Sequence, residues 1–100
     1  MEINTRKIKT YIGFAIKSRK IKFGVDDIIK LKNAELIIVS DSLAESGVKK
    51  INGFAEEKNI DLINLKEEIF LEVVPNYNIK VTAIVDKNLA DAIKKNLTIN

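Results

Sequence analysis

The sequence predicts an α/β protein: a three-layer α/β/α sandwich on a four-stranded, mostly parallel or mixed sheet with about five helices. Apolar runs of strand length, such as Leu36–Val39, alternate along the chain with segments whose apolar residues recur every three or four positions. The chain holds 100 residues, 46% of them hydrophobic, which is enough for one core. We therefore expect residues 1–100 to form a single domain with helices on both faces of the sheet.

Two helices are predicted on either side of a short strand at the start of the chain. Residues 5–18 repeat apolar side chains at helical spacing, and Ile21–Phe23 can form the strand. Residues 25–32 read as the second helix. Asp26 and Asp27 fall in its first turn, where the helix dipole stabilises carboxylates.

The central strand is predicted at Leu36–Val39, because an unbroken β-branched run suits a strand that is covered on both faces. We expect Ile38 to be among the most buried residues. A third helix follows, and Ser42–Glu45 matches the capping box of a helix start. Its expected buried stripe is Ala44, Val48, Ile51 and Ala55, with Phe54 beside it.

The second half of the chain continues the alternation. Ile60–Leu65 predicts another buried strand, and residues 66–74 predict a short helix that Pro75 ends. Residues 79–85 predict a strand with Ala83 among the most buried residues, and Asp86 can cap a last helix. Because strands alternate with helices, we expect most neighbouring strands to be parallel.

Composition argues against several functional classes. The chain has no cysteine and no histidine, which removes disulfides, thiolate metal sites and the usual nucleophile–base pairs. The carboxylates Asp26, Asp27, Asp41, Glu67 and Glu68 each lie near a predicted helix start, where a structural role explains them. We expect neither an enzyme nor a cofactor or metal site.

The absence of cysteine favours a cytoplasmic protein, because small secreted domains more often carry disulfides. No apolar run approaches the roughly 18–20 residues that a membrane span needs. The first residues carry charges but no apolar segment of the kind found in secretory signals. We expect no membrane association.

Positive charge is concentrated in the first third of the chain. Residues 1–32 hold nine Lys and Arg against three acids, whereas residues 33–100 hold eight Lys against eleven acids. Such asymmetry favours an anionic partner for the first third. A random excess in a lysine-rich chain would produce the same pattern.

The most basic segment runs directly into the predicted second helix. Four cations lie between Lys17 and Lys22, and Gly24 then precedes the helix. The N–H groups at a helix start have no partner within the helix and suit an anion. Lys20, Lys22 and Lys30 are therefore candidate phosphate contacts. The alternative is that this segment is a solvated loop.

Several segments, in this order and spacing, resemble a known family from about Tyr11 to Leu97. They are Ile12-Gly13-Phe14-Ala15, Lys20-Ile21-Lys22-Phe23-Gly24, the run from Lys32 to Asp41, and Val81-Thr82-Ala83-Ile84-Val85-Asp86. The sequence resembles the superfamily of large-subunit ribosomal proteins seven-Ae and thirty-e, and most of all its small bacterial YlxQ-type branch. This resemblance implies binding to kink-turn or similarly bent RNA through a helix start and a nearby loop.

The resemblance also assigns roles to residues around the second helix. In the RNA-binding branch, a glycine, an asparagine and a glutamate open this helix, and a lysine follows three residues after the glutamate. Gly24 matches the glycine and Lys30 the lysine, whereas Asp26 stands at the asparagine and Asp27 at the glutamate. An asparagine amide can donate a hydrogen bond to RNA, but an ionised aspartate can only accept one. Asp27 retains the ability to accept from a guanine.

The second recognition loop of the family would fall near residues 74–79. Its usual apolar and small residues are replaced here by Pro75-Asn76-Tyr77-Asn78. Tyr77 can stack on an unpaired base or cover the end of the sheet.

The resemblance implies a non-enzymatic, monomeric RNA-binding protein in a ribosome or translation context. Its expected partner is structured RNA, such as ribosomal RNA or another kink-turn RNA, with ribosome-associated proteins as further partners. The alternative is a protein-interaction module of the same fold with weak or no RNA binding, which stress-response relatives in the superfamily resemble.

Overall fold

The computed structural model describes residues 3–74, 76 and 78–97, which form alternating helices and strands. The helices are α1 (Thr5–Lys17), α2 (Val25–Ile28), α3 (Glu45–Lys58), α4 (Glu67–Val73) and α5 (Lys87–Leu97). The strands are β1 (Ile21–Phe23), β2 (Leu36–Ser40), β3 (Asp61–Leu65) and β4 (Val81–Ile84).

The strands form one mixed sheet in the order β1-β4-β2-β3. Strands β2 and β3 are parallel, whereas β4 runs antiparallel to both β1 and β2. The predicted α/β sandwich is therefore confirmed with a mixed sheet, and the expectation of mostly parallel neighbours is wrong. After α4 the chain returns to the C-terminal end of β2, where Ser40 N donates to Lys80 O at 2.8 Å. Because β4 starts at that end, it runs antiparallel to β2.

Strand β2 lies in the middle of the sheet and is buried on both faces, as predicted. All five of its residues are buried. Leu36 and Ile38 pack in a cluster with α1, α4 and α5, whereas Ile37 and Val39 pack in a second cluster with α2 and α3. Ile38 and Ala83 both have no exposed surface, which confirms that prediction.

Helices cover the sheet in two layers that differ in composition. On one face α1 packs against α4 and α5. The buried side chains of this layer are Ile8, Ile12, Ala15, Phe70, Val73, Ala90, Ile93 and Leu97. On the other face α2 packs against α3. That layer contributes Ile28, Ile51, Phe54 and Ala55.

The start of α3 differs from the prediction. The helix begins at Glu45 after Ala44, and no side chain caps it. The Ser42 hydroxyl instead lies 2.7 Å from the Ser40 hydroxyl, so the expected capping box is not formed. Ala44 is exposed, and Gly47 takes the buried position, because a side chain there would meet Leu43 and Val25 at about 3.1–3.2 Å.

Helix α2 is also shorter than predicted. It spans four residues, and the chain then turns through residues 29–34 toward β2. The buried side chain of Ile28 anchors the last helical residue in the core. The chain must then reach the start of β2, where Glu35 N donates to Ile84 O at 2.8 Å.

Strands β3 and β4 both differ from the prediction, β3 in its burial and β4 in its length. Strand β3 begins at Asp61 and lies at the sheet edge, so Asp61 and Asn64 are exposed and the expectation of a buried strand is wrong. Strand β4 is limited to Val81–Ile84, and all four residues are buried. Buried Thr82 donates from Oγ1 to Lys22 O at 3.0 Å, which satisfies its hydroxyl.

The starts of α1 and α5 are capped by side chains. Asp86 caps α5, as predicted, because its Oδ2 accepts from Leu89 N at 2.9 Å. At the start of α1, Asn4 Oδ1 accepts from Lys7 N at 3.1 Å. Among the helices of the described residues, none has the length and apolar character of a membrane span.

The central position of Ile38 can be tested by shortening its side chain. We expect Ile38→Ala to lower the free energy of unfolding by about 2–5 kcal/mol, because the change opens a cavity in a fully buried site. Ile16→Ala is the matched control, since 41% of the Ile16 side chain is exposed. It should change stability by about 0.5 kcal/mol or less in the same urea titration. Equal effects of the two changes would contradict the burial of β2.

Candidate nucleic-acid interface

Gly24 joins the start of α2 to the start of β4. Its backbone has φ 87° and ψ 149°, a conformation that is essentially confined to glycine. Gly24 N donates to Val81 O at 3.1 Å, so the turn is fixed to the sheet. A Cβ at this position would meet nothing within 4 Å, and another molecule can therefore approach the backbone closely.

A shallow groove of about 280 Å³ surrounds this turn. Its apolar lining comes from Phe23, Val25, Leu43 and Ile79. Asn78 and Lys80 add polar groups from the segment before β4. The structure thus places the α2 start beside the segment that the resemblance assigned to a second recognition loop. Tyr77 and Pro75 lie outside the described residues.

The described part of that segment is held by its own hydrogen bonds. Asn76 Oδ1 accepts from Asn78 N at 2.9 Å, and Asn76 O accepts from Ile79 N at 3.0 Å. Lys80 Nζ lies 3.2 Å from Glu67 Oε1, in a pair that is partly exposed. Leu43, Asn78 and Lys80 did not stand out in the sequence, because they reach the groove only through the pairing of β4.

The acidic residues at the α2 start are exposed and unpaired. Asp26 and Asp27 lie in the first turn, and neither has a cation within 4.0 Å in the described part of the chain. A helix of one turn adds little dipole of its own, and two carboxylates oppose an anion there. An anion near the α2 start would therefore be attracted by the neighbouring lysines rather than by the helix start itself.

The candidate lysines do not gather at one point, because two of them follow the outer edge of the sheet and the third lies elsewhere. Lys22 lies within the edge strand β1, and Lys20 lies at its far end, where its carbonyl accepts from Val85 N at 2.9 Å. At about 3.3 Å per residue, Lys20 is about 13 Å along the strand from Gly24. Lys30 lies in the turn that follows α2, and all three lysines are exposed.

All ion pairs between described residues lie outside the first third of the chain. The ion pairs between described residues are Lys49–Glu45, Lys80–Glu67, Lys87–Asp91 and Lys94–Asp61. Residues 1–32 hold nine cations, and none of these lies within 4.0 Å of a described carboxylate. The positive charge on this part of the surface is therefore not neutralised by the described residues.

Two of the three remaining acidic candidates, Asp41 and Glu67, have structural partners. Asp41 Oδ1 accepts from Glu67 N at 3.0 Å, so Asp41 supports the start of α4 rather than that of α3. Glu67 pairs with Lys80. The residues that the structure describes contain no group of three or more side chains suited to hold a metal ion.

Comparison with known proteins connects this geometry to a family. Residues 6–92 match the ribosomal protein L7Ae/L30e/S12e/Gadd45 family. A solved structure of a protein with unknown function from Bacillus halodurans C has a TM-score of 0.71 and 18% sequence identity to this chain. The match covers 88% of this chain and 97% of that protein, and it shows the fold alone. The search of curated proteins returned no match.

The backbone of Gly24 can be tested independently of any ligand. We expect Gly24→Ala to lower the free energy of unfolding by about 1–3 kcal/mol, because alanine is strained at this φ and ψ although space is free. Gly53→Ala is the matched control, since Gly53 also has open space and lies inside α3. The control should stabilise the protein by about 0.4–1 kcal/mol. Thermal or urea unfolding that gives the two changes the same sign would contradict the conformation of Gly24.

Proposed function

Because the chain belongs to the ribosomal protein L7Ae/L30e/S12e/Gadd45 family, we propose that it binds kink-turn or similarly bent structured RNA. The observation that carries the proposal is the convergence of the α2 start and residues 78–80 around Gly24. The surface formed by this groove and by Lys20, Lys22 and Lys30 is called the Gly24 surface below. We propose that the protein acts as a monomer, in the cytoplasm and in a ribosome or translation context.

The groove has the properties that recognition of bent RNA requires. Sequence-specific RNA recognition relies on unpaired bases that leave the stack and contact apolar or aromatic side chains. The apolar lining residues Phe23, Val25 and Leu43 offer such a contact, and Asn78 adds an amide to the lining. The bare backbone at Gly24 lets the RNA approach closely.

The unneutralised cations supply the electrostatic part of binding. Lys22 and Lys30 lie on either side of the α2 start in sequence and are exposed. Phosphate contacts by such lysines release counterions and provide most of the sequence-independent affinity. The exposed Asp26 and Asp27 reduce this attraction close to the groove, so the RNA stems should lie toward the lysines.

We also infer that the protein is not an enzyme. The sequence has no histidine or cysteine to act as nucleophile or proton shuttle. Asp41, which lies between Ser40 and Ser42 in the sequence, accepts from the α4 start, and Glu67 is engaged in an ion pair with Lys80.

A test of the lysines compares two triple variants with equal change in net charge. We expect Lys20→Ala/Lys22→Ala/Lys30→Ala to weaken binding of a kink-turn RNA and to reduce the slope of log Kd against log salt by about one unit per lost contact. Lys50→Ala/Lys58→Ala/Lys66→Ala is the control. Fluorescence anisotropy over a range of salt concentrations measures both. If both triple variants bind alike, the Gly24 surface does not contact phosphate.

A second test exchanges the aspartate that departs from the family pattern. We expect Asp26→Asn to tighten kink-turn binding by roughly tenfold, because the amide can donate to RNA and a negative charge is removed. The same change should cost a few tenths of a kcal/mol in stability, since an acid leaves the first turn of a helix.

Glu56→Gln provides the control for Asp26→Asn, because it removes one exposed acid from a position in α3 that does not line the groove. Titration of the RNA and thermal melting separate the two effects. Unchanged or weaker binding by Asp26→Asn would count against RNA contact at this residue. The protein-interaction module would then be the better description.

A further inference from the structure

Helices α1 and α5 carry the positive charge of the helical layers. Helix α1 has four cations and no acid, and α5 has three cations and one acid. In contrast, α2 and α4 together have five acids and no cation, and α3 is balanced with three of each. The pair of α1 and α5 lies on the face of the sheet opposite α2, so this charge does not belong to the Gly24 surface.

A groove of about 530 Å³ runs between these two helices. Asn4 N donates to Asn96 O at 3.0 Å, which joins the start of α1 to the end of α5. Ala92 lies in its lining, and the short side chain leaves the space between the helices open. A groove of this size accommodates a nucleotide, since small-ligand sites have volumes of about 300–1,000 Å³. We call it the α1–α5 groove.

Two lysines line the groove and are available to an anion. Lys7 and Lys95 are exposed, and neither lies within 4.0 Å of a carboxylate in the described part of the chain. The acid in the lining is Asp91, and its Oδ2 lies 3.6 Å from Lys87 Nζ. The charge of Asp91 is therefore partly offset, and the groove favours a ligand with negative charge.

The position of Lys7 is not explained by helix stability. Lys7 lies in the first turn of α1, where the helix dipole disfavours a cation, and no acid accompanies it there. Lys95 lies in the last turn of α5, where a cation is favourable. The antiparallel arrangement brings the two lysines into one groove, and the unfavourable placement of Lys7 is consistent with a role toward a ligand.

The other side chains of the groove suit a nucleobase. Tyr11 is half-buried in the lining, and its ring centroid lies 6.5 Å from that of Phe14 at a tilt of 58°. Aromatic rings of this kind form stacking platforms for unpaired bases. Asn88 makes no side-chain hydrogen bond with the described residues, so its amide can both donate and accept. Asn96 Nδ2 is already engaged with Ala92 O at 2.8 Å.

We propose that the α1–α5 groove binds a single-stranded segment of RNA, with phosphates at Lys7 and Lys95 and a base against Tyr11. This proposal rests on the proposed function, because it assigns a second contact to the same class of ligand. It lies on the opposite face of the sheet from the Gly24 surface. A bent RNA with an unpaired flank would then contact the protein at two separate sites.

The intrinsic fluorescence of the chain allows a direct test. The sequence has two tyrosines, Tyr11 and Tyr77, and no tryptophan, so Tyr77→Phe leaves Tyr11 as the sole tyrosine. We expect an oligoadenylate of about eight nucleotides to quench Tyr11 emission with saturation, after correction for absorption by the RNA. Adenosine monophosphate is the second ligand. Equal affinity for the mononucleotide and the oligonucleotide would overturn the assignment to RNA.

Variants in the same background identify the groove. Lys7→Ala/Lys95→Ala should weaken binding of the oligoadenylate by roughly tenfold and lower the salt dependence of that binding. Lys50→Ala/Lys58→Ala removes the same charge from α3 and should have no effect. Ala92→Leu should prevent quenching by filling the groove, with its melting curve as the check on folding. Absence of quenching, or equal effects of the two lysine pairs, would overturn the proposal.

The kink-turn titration keeps this result separate from the proposed function. If kink-turn RNA still binds and responds to changes at Lys20, Lys22 and Lys30, then RNA binding at the Gly24 surface holds and the groove alone is rejected. If oligoadenylate quenches Tyr11 and the Lys7/Lys95 change removes that response, the groove is supported whatever the Gly24 surface binds.

Discussion

Strand β2 leaves no face open to water, and the other elements are arranged around that constraint. Its five residues are buried, so the sheet needs a helical layer on each side. Leu36 and Ile38 pack against one helical layer, and Ile37 and Val39 pack against the other. Pairing of β2 with β4 on one side and β3 on the other satisfies its backbone. The three-layer order therefore follows from one short apolar run.

The Gly24 surface is a consequence of how β4 enters this sheet. Because β4 pairs with both β1 and β2, its first residue lies beside the end of β1, and Gly24 N reaches Val81 O. Residues 78–80 must then lie next to the α2 start. The electrostatic balance is local: two acids stand at the α2 turn, and the unpaired lysines lie along the β1 edge and after α2. Under the proposed function, RNA binding requires the lysines to outweigh the two acids, and Asp26→Asn tests this balance.

The sequence predicted those features that depend on residues close together in the chain. The burial of β2, the positions of most elements and the cap at Asp86 follow from apolar runs and capping chemistry. The edge position of β3 depends on strand order, and the missing capping box depends on Ser42 bonding Ser40 instead. Lys80 and the α1–α5 groove were missed for the same reason, since each joins segments far apart in the chain. Lys20 was grouped with Gly24 by sequence proximity, although an extended strand separates them.

The most direct measurement is an amide-resolved NMR titration with two RNAs, one with a kink-turn and one a straight duplex of equal length and composition. We expect the kink-turn RNA to shift the amide signals around Gly24, the β1 edge and residues 78–81 most strongly, and to bind more tightly than the duplex. Exposed residues of α3 that do not line the groove, such as Lys50 and Glu57, should remain unchanged. Equal responses to the two RNAs, or shifts that avoid the Gly24 surface, would contradict recognition of bent RNA by this protein.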